Sequence, residues 1–148
     1  MDPISAIGFA ASILTFIEFA SKIVAGAHEV YTSASGTTEE NAHIDTVITD
    51  LRETADSLDS DLIGKTKHEK ALKELASKCE ILSTELLTLL EQLRLSGKNS
   101  TWKSLKITLK SMRKEKVVGG MEKRLGEYRS QMLLRLSLML KYYRISRY

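Results

Sequence analysis

"MDPISAIGFAASILTFIEFASKIVAGAHEVY" (residues 1–31) decides how this chain is read. From Pro3 to Ile17 it holds no charge, and then Glu18 and Lys22 follow one helical turn apart. Asp2 can cap a helix, and Pro3 fits the first helical position, where its missing N–H costs nothing. The spacing predicts a helix running to about Tyr31. Ser5, Gly8, Ser12, Thr15, Phe19, Lys22, Gly26 and Glu29 fall along one stripe that, Phe19 apart, is small or polar. The remaining surface is Ile, Phe, Leu, Val and Ala, and a helix this apolar must be covered by something. Two coverings are possible: the rest of a helical bundle, or a membrane. Ile4 to Ala27 has the length of a span. Glu18 or Lys22 near the bilayer centre, however, would cost about 2.5–3.5 kcal/mol. One copy is therefore a poor span, whereas several copies in a ring could turn Glu18 to a wet lumen. It is not a secretory signal, because no basic segment precedes the apolar run.

The rest of the chain fits helices throughout. Its 148 residues suit one domain with a sizeable core. Apolar residues make up 43% and charged residues 28%, a globular composition with a single proline. No segment alternates apolar and polar residues over a strand's length. Past a small-residue loop, "TSASGTT" (32–38), a second helix is predicted from a capping box of Thr37 with Glu40. Its stripe is Ile44, Val47, Ile48, Leu51, Ala55, Leu58 and Leu62. After a break at "DLIGKT" (61–66) the third helix carries Leu72, Leu75, Cys79, Leu82, Leu86, Leu89 and Leu93. "SGKNS" (96–100) ends it. The fourth begins near Thr101 with Trp102, Leu105, Leu109 and Met112 among many basic residues. "VVGG" (117–120) is expected to be a kink or short break. A fifth helix follows with Met121, Leu125, Tyr128, Met132, Leu136, Met139 and Tyr143, becoming apolar nearly all round in "MLLRLSLML" (132–140). The predicted fold is all-α: a mostly antiparallel bundle of four to five helices with a hydrophobic N-terminal helix, in one domain over 1–148.

The net charge of +3 hides a division. Residues 1–97 carry 8 Lys/Arg against 16 Asp/Glu, a balance of −8; residues 98–148 carry 14 against 3, a balance of +11. The basic fourth helix therefore either pairs with the acidic second helix or attracts an anionic surface, through Lys103, Lys106, Lys110, Arg113 and Lys114 as lipid-headgroup contacts. No module that reads nucleic acid is spelled out, and no nucleic-acid partner is expected.

No reaction chemistry is legible. Gly64-Lys65-Thr66 resembles the tail of a phosphate loop, but Asp59 stands where the motif needs its first glycine. His68-Glu69 resembles the start of a zinc-protease motif, but Leu72 stands at the second histidine. Cys79 lies in an apolar stripe and reads as a core residue. Asn99-Ser100-Thr101 is a glycosylation sequon that only a secreted chain would use. No enzyme activity, cofactor or metal is expected.

"MDPISAIGFAASILTFIEFASKIV" and "TWKSLKITLKSMRKEKVVGGMEKRLGEYRSQMLLRLSLML" together resemble the N-terminal helical domains of fungal NOD-like receptors. These domains are of the HeLo, HeLo-like and SesA types, and precede an NTPase of the NACHT kind and a repeat region. The resemblance implies an effector domain for regulated cell death. It would be cytoplasmic when inactive, and self-association would drive its N-terminal helix into the plasma membrane. Carried onto this chain, the membrane-insertion helix is Ile4, Ile7, Phe9, Ile13, Leu14, Phe16, Ile17, Phe19, Ile23 and Val24. Glu18 and Lys22 are the candidate acidic ring or ion pair. The implied partners are anionic lipids, further copies, and the receptor's NTPase and repeats. The alternative is a helical self-association or adaptor module with no membrane activity.

Overall fold

The computed structural model describes residues 3–25, 44–59, 64–95, 101–112 and 114–146. They form five helices: α1 (Pro3–Ala25), α2 (Ile44–Asp56), α3 (Lys67–Leu95), α4 (Trp102–Ser111) and α5 (Lys116–Ser146). Among the described residues there is no strand, so the molecule is all-α, as expected. Residues 26–31 and the Thr37–Glu40 capping box lie outside the described residues, as do Leu62, Arg113 and the side chain of Trp102.

α1 is the hub. It packs most extensively on α5 and also touches α2, α3 and α4. Its inward face is Ala6, Phe9, Ala10, Ile13, Phe16, Ile17, Ala20, Ile23 and Val24, all buried. At about 1.5–3 kcal/mol for each large apolar side chain removed from water, this face is the main apolar contribution α1 makes to the core. The predicted stripes of α3 and α5 also point inward. Leu72, Leu75, Cys79, Leu82, Leu86 and Leu89 are buried, as are Met121, Leu125, Tyr128, Met132 and Met139. α5 runs antiparallel to α3: Arg124 near its start pairs with Glu85, and Arg135 and Tyr142 further on meet His68 at the start of α3. α2 is antiparallel to α3 too, through Arg94–Asp45 at 2.7 Å and Arg52–Glu91 at 3.2 Å.

Two expectations need correction. The break between the last two helices falls at Met112–Glu115, not at "VVGG". Met112 N–H is shared between the Thr108 and Leu109 carbonyls, and Glu115 N–H bonds Met112 O at 2.8 Å. These bonds close a turn between Ser111, where α4 ends, and Lys116, where α5 begins. Gly119 and Gly120 instead lie early in α5, where buried Val118 and Met121 anchor the backbone around them. Second, α2 packs chiefly on α3, and its Asp45 pairs there with Arg94 of α3, so at this residue the acidic side of α2 is turned to α3 and not to the basic α4.

The dismissed "GKT" and "HE" fragments have a structural task. Gly64 takes φ +71°, a left-handed turn that favours glycine. Thr66 Oγ1 then accepts from Glu69 N–H at 3.1 Å, and Glu69 Oε2 accepts from Lys65 N–H at 2.9 Å. This is a capping box that starts α3. Thr66→Ala is expected to cost about 1 kcal/mol, read as a lower urea midpoint with unchanged slope.

Cys79 is fully buried, and burial pushes its thiol up to about 12, with a smaller push from Glu80. Native protein at pH 8 is expected to resist iodoacetamide, with labelling appearing only in denaturant; labelling at the rate of a free thiol would contradict this burial.

Candidate functional site

The candidate site is α1 and what holds it. Its two faces have different chemistry. Phe9, Ile13, Phe16, Ile17, Ile23 and Val24 point into the bundle; Ile7, Leu14 and Phe19 are half-buried, and Ile4 is 85% exposed. Ser5, Gly8, Thr15 and Lys22 are exposed on the outward face, with Ser12 beside them. Ser12 Oγ donates to Gly8 O at 3.2 Å and Thr15 Oγ1 to Ala11 O at 2.9 Å. These hydroxyls are thus satisfied within the helix and make no demand on a neighbour or on water. Ile4–Ala25 is long and apolar enough to cross a bilayer by length and composition.

Glu18 does not need Lys22. Its Oε1 accepts from Arg129 Nε of α5 at 2.7 Å, while Lys22 reaches the surface. Both partners of the Glu18–Arg129 pair are about half exposed, so the pair contributes roughly 0.2–1 kcal/mol. It marks the α1–α5 register more than it holds it; the buried face is what retains α1. Sequence reasoning missed Arg129 because 111 residues separate it from Glu18 and no local pattern connects them.

The predicted headgroup contacts divide. Lys103, Lys110 and Lys114 are exposed. Lys106 is only 8% exposed, so it does not share their outward face, which corrects the expectation for this residue in the folded bundle. It sits beside Leu105 and Leu109, which turn its side of α4 inward. Arg113 lies outside the described residues.

At the other end of α5, Arg135 Nη1 lies 3.2 Å from His68 Nδ1, and Tyr142 packs on the same ring with centroids 5.2 Å apart. The guanidinium can only donate, so Nδ1 accepts and the imidazole is held neutral. Burial lowers the His68 pKa below its ordinary 6.5, followed by the charges of Arg135 and Lys67. A base whose folded pKa is depressed stabilises the fold fully above its unfolded pKa and loses that contribution as pH falls through about 6.5. The melting temperature is therefore expected to fall between pH 7 and 5, with a shallower slope in His68→Gln.

Among the described residues no group of three or more His, Cys, Asp or Glu side chains is placed to hold a metal ion. No curated protein and no solved structure matches the chain. A family model does match, over residues 10–131, and it describes an N-terminal domain found on NACHT NTPases and P-loop NTPases. That match takes in most of α1, all of α2 to α4 and half of α5, so the chain belongs to the SesA family of N-terminal domains on NACHT and P-loop NTPases.

Proposed function

We propose that this domain is the effector of a fungal NACHT-type receptor and executes regulated cell death by permeabilising the plasma membrane through α1. The observation that carries the reading is the two-faced character of α1. Its apolar face, now in the bundle core, is apolar enough for lipid. Its outward face, with Ser5, Gly8, Thr15, Glu18 and Lys22, meets water in the bundle and would meet water in a pore lumen. Moving the apolar face from protein interior to lipid exchanges one apolar surrounding for another. The buried face retains α1 in a lone copy, and Glu18, about one turn past the middle of Ile4–Ala25, adds about 2.5–3.5 kcal/mol against entry near the bilayer centre, while Lys22, near the end of the span, can reach the interface. Clustering by the NTPase removes that cost, because neighbouring copies enclose Glu18 and Lys22 in a wet channel. Lys103, Lys110 and Lys114 add headgroup attraction of roughly 1 kcal/mol each. The protein is cytoplasmic at rest and at the plasma membrane when active.

Dye release from phosphatidylserine-containing vesicles tests this. Release that rises steeply with protein density is expected. A protein that covers such vesicles and releases no dye when its copies are artificially clustered would overturn the reading in favour of a helical adaptor module.

A further inference from the structure

Beyond Tyr128, α5 turns Met132, Leu136, Met139 and Tyr143 to the core. The opposite side of such a helix is ordinarily polar. Here Leu133, Leu134, Leu138 and Leu140 are 42–63% exposed, and Tyr142 is 47% exposed. Helical spacing puts Leu133 and Leu140 on one flank of the outward face and Leu134 and Leu138 on the other. Between them run Ser137, Lys141 and Arg144, all exposed. Residues 128–148 contain Arg129, Arg135, Lys141, Arg144 and Arg147, and no Asp or Glu. Leu134 also walls a groove of about 270 Å³ between α3 and α5, with Ala71, Leu75 and Gln131. The carboxylate on its rim, Glu74, is paired with Lys78 at 3.6 Å.

Four exposed leucines within about two helical turns are more than the scattered apolar residues of an ordinary surface. The charge pattern selects what covers it. In a dry protein interface Lys141, in the middle of the face, would be buried with no carboxylate of its own helix segment to meet it. At a bilayer surface the leucines enter the acyl boundary while Lys141 and Arg144 extend their stems to the phosphates. We propose that the outward face of α5 beyond Tyr128 docks the folded domain on an anionic bilayer, with the helix in the headgroup plane and α1 still in the core. This inference rests on the preceding reading for the nature of the partner, but not for the role of α1.

The test measures binding and leakage on the same vesicles, using the whole chain. Wild-type protein is expected to sediment with vesicles of phosphatidylcholine and phosphatidylserine, more weakly as salt rises, and not with phosphatidylcholine alone. Leu134→Gln with Leu138→Gln changes exposed positions, so the circular dichroism spectrum should stay helical while affinity falls roughly tenfold or more. Lys141→Glu with Arg144→Glu should weaken binding several-fold and make it less dependent on salt, the remaining dependence coming from Lys103, Lys110 and Lys114. Either double variant binding like wild type would overturn the proposal. So would sedimentation equilibrium that shows a dimer broken by the leucine changes while lipid binding is untouched, since the face would then belong to a second copy. Binding without leakage even when the copies are artificially clustered sinks the α1 reading and leaves this one; leakage with unaltered binding in both double variants sinks this one and leaves the other.

Discussion

Ile13→Asp is expected to leave the chain unfolded at room temperature, with loss of the helical circular dichroism signal. Ile13 is fully buried on the hub helix, among Phe16, Ile17 and the apolar residues of the surrounding helices. The change removes roughly 1.5–3 kcal/mol of apolar burial. It also strands a carboxylate in the core, whose cost after protonation or partial hydration is still several kcal/mol. A domain of this size has about 5–15 kcal/mol in total, so the sum approaches or exceeds what is available. By contrast Ala11→Asp, on the exposed side of the same helix, should keep the fold. If Ile13→Asp melts like wild type, α1 is not the core of the resting domain.

This places a constraint on how the function is studied. Removing residues 1–24 would delete the inward face of α1 almost completely, so loss of activity in that truncation would report unfolding rather than a membrane role. Tests must keep α1 present and control where it is.

The apolar stripes of α3 and α5 were legible because period and burial coincide there: each inward position recurs every three or four residues, with no competing signal. α1 was legible in composition and in its outward stripe, since glycine, serine and threonine mark the side away from the core. Long-range pairing was not legible. Glu18 finds Arg129 and Asp45 finds Arg94 through packing geometry that no short window contains. The break before α5 was misplaced because two adjacent glycines were weighed as a break, whereas the buried Val118 and Met121 on either side hold them within α5. Thr66 and Glu69 were weighed against phosphate and zinc motifs and not as a cap, although their spacing is that of a capping box. The exposed leucines of α5 were visible as an apolar excess, but only the packing of α1 and α3 shows which sides of the helix remain open.

The second large effect concerns release. Glu18 and Arg129 face each other across the α1–α5 contact, so Glu18→Cys with Arg129→Cys brings two exposed thiols within reach of a short bismaleimide. Cys79 does not interfere, being buried with a thiol pushed up to about 12. The substitutions sacrifice an ion pair of roughly 0.2–1 kcal/mol, so the uncrosslinked variant should fold and, if anything, release α1 more readily. Crosslinked protein keeps the α5 face and its lipid binding but cannot separate α1 from the bundle.

Dye release from phosphatidylserine vesicles by this variant, before and after crosslinking, is the decisive measurement. Strong release by the open form and almost none by the crosslinked form, at equal vesicle binding, is the predicted result. Equal release by both forms would contradict the claim that α1 is a core helix that leaves the bundle to enter the membrane.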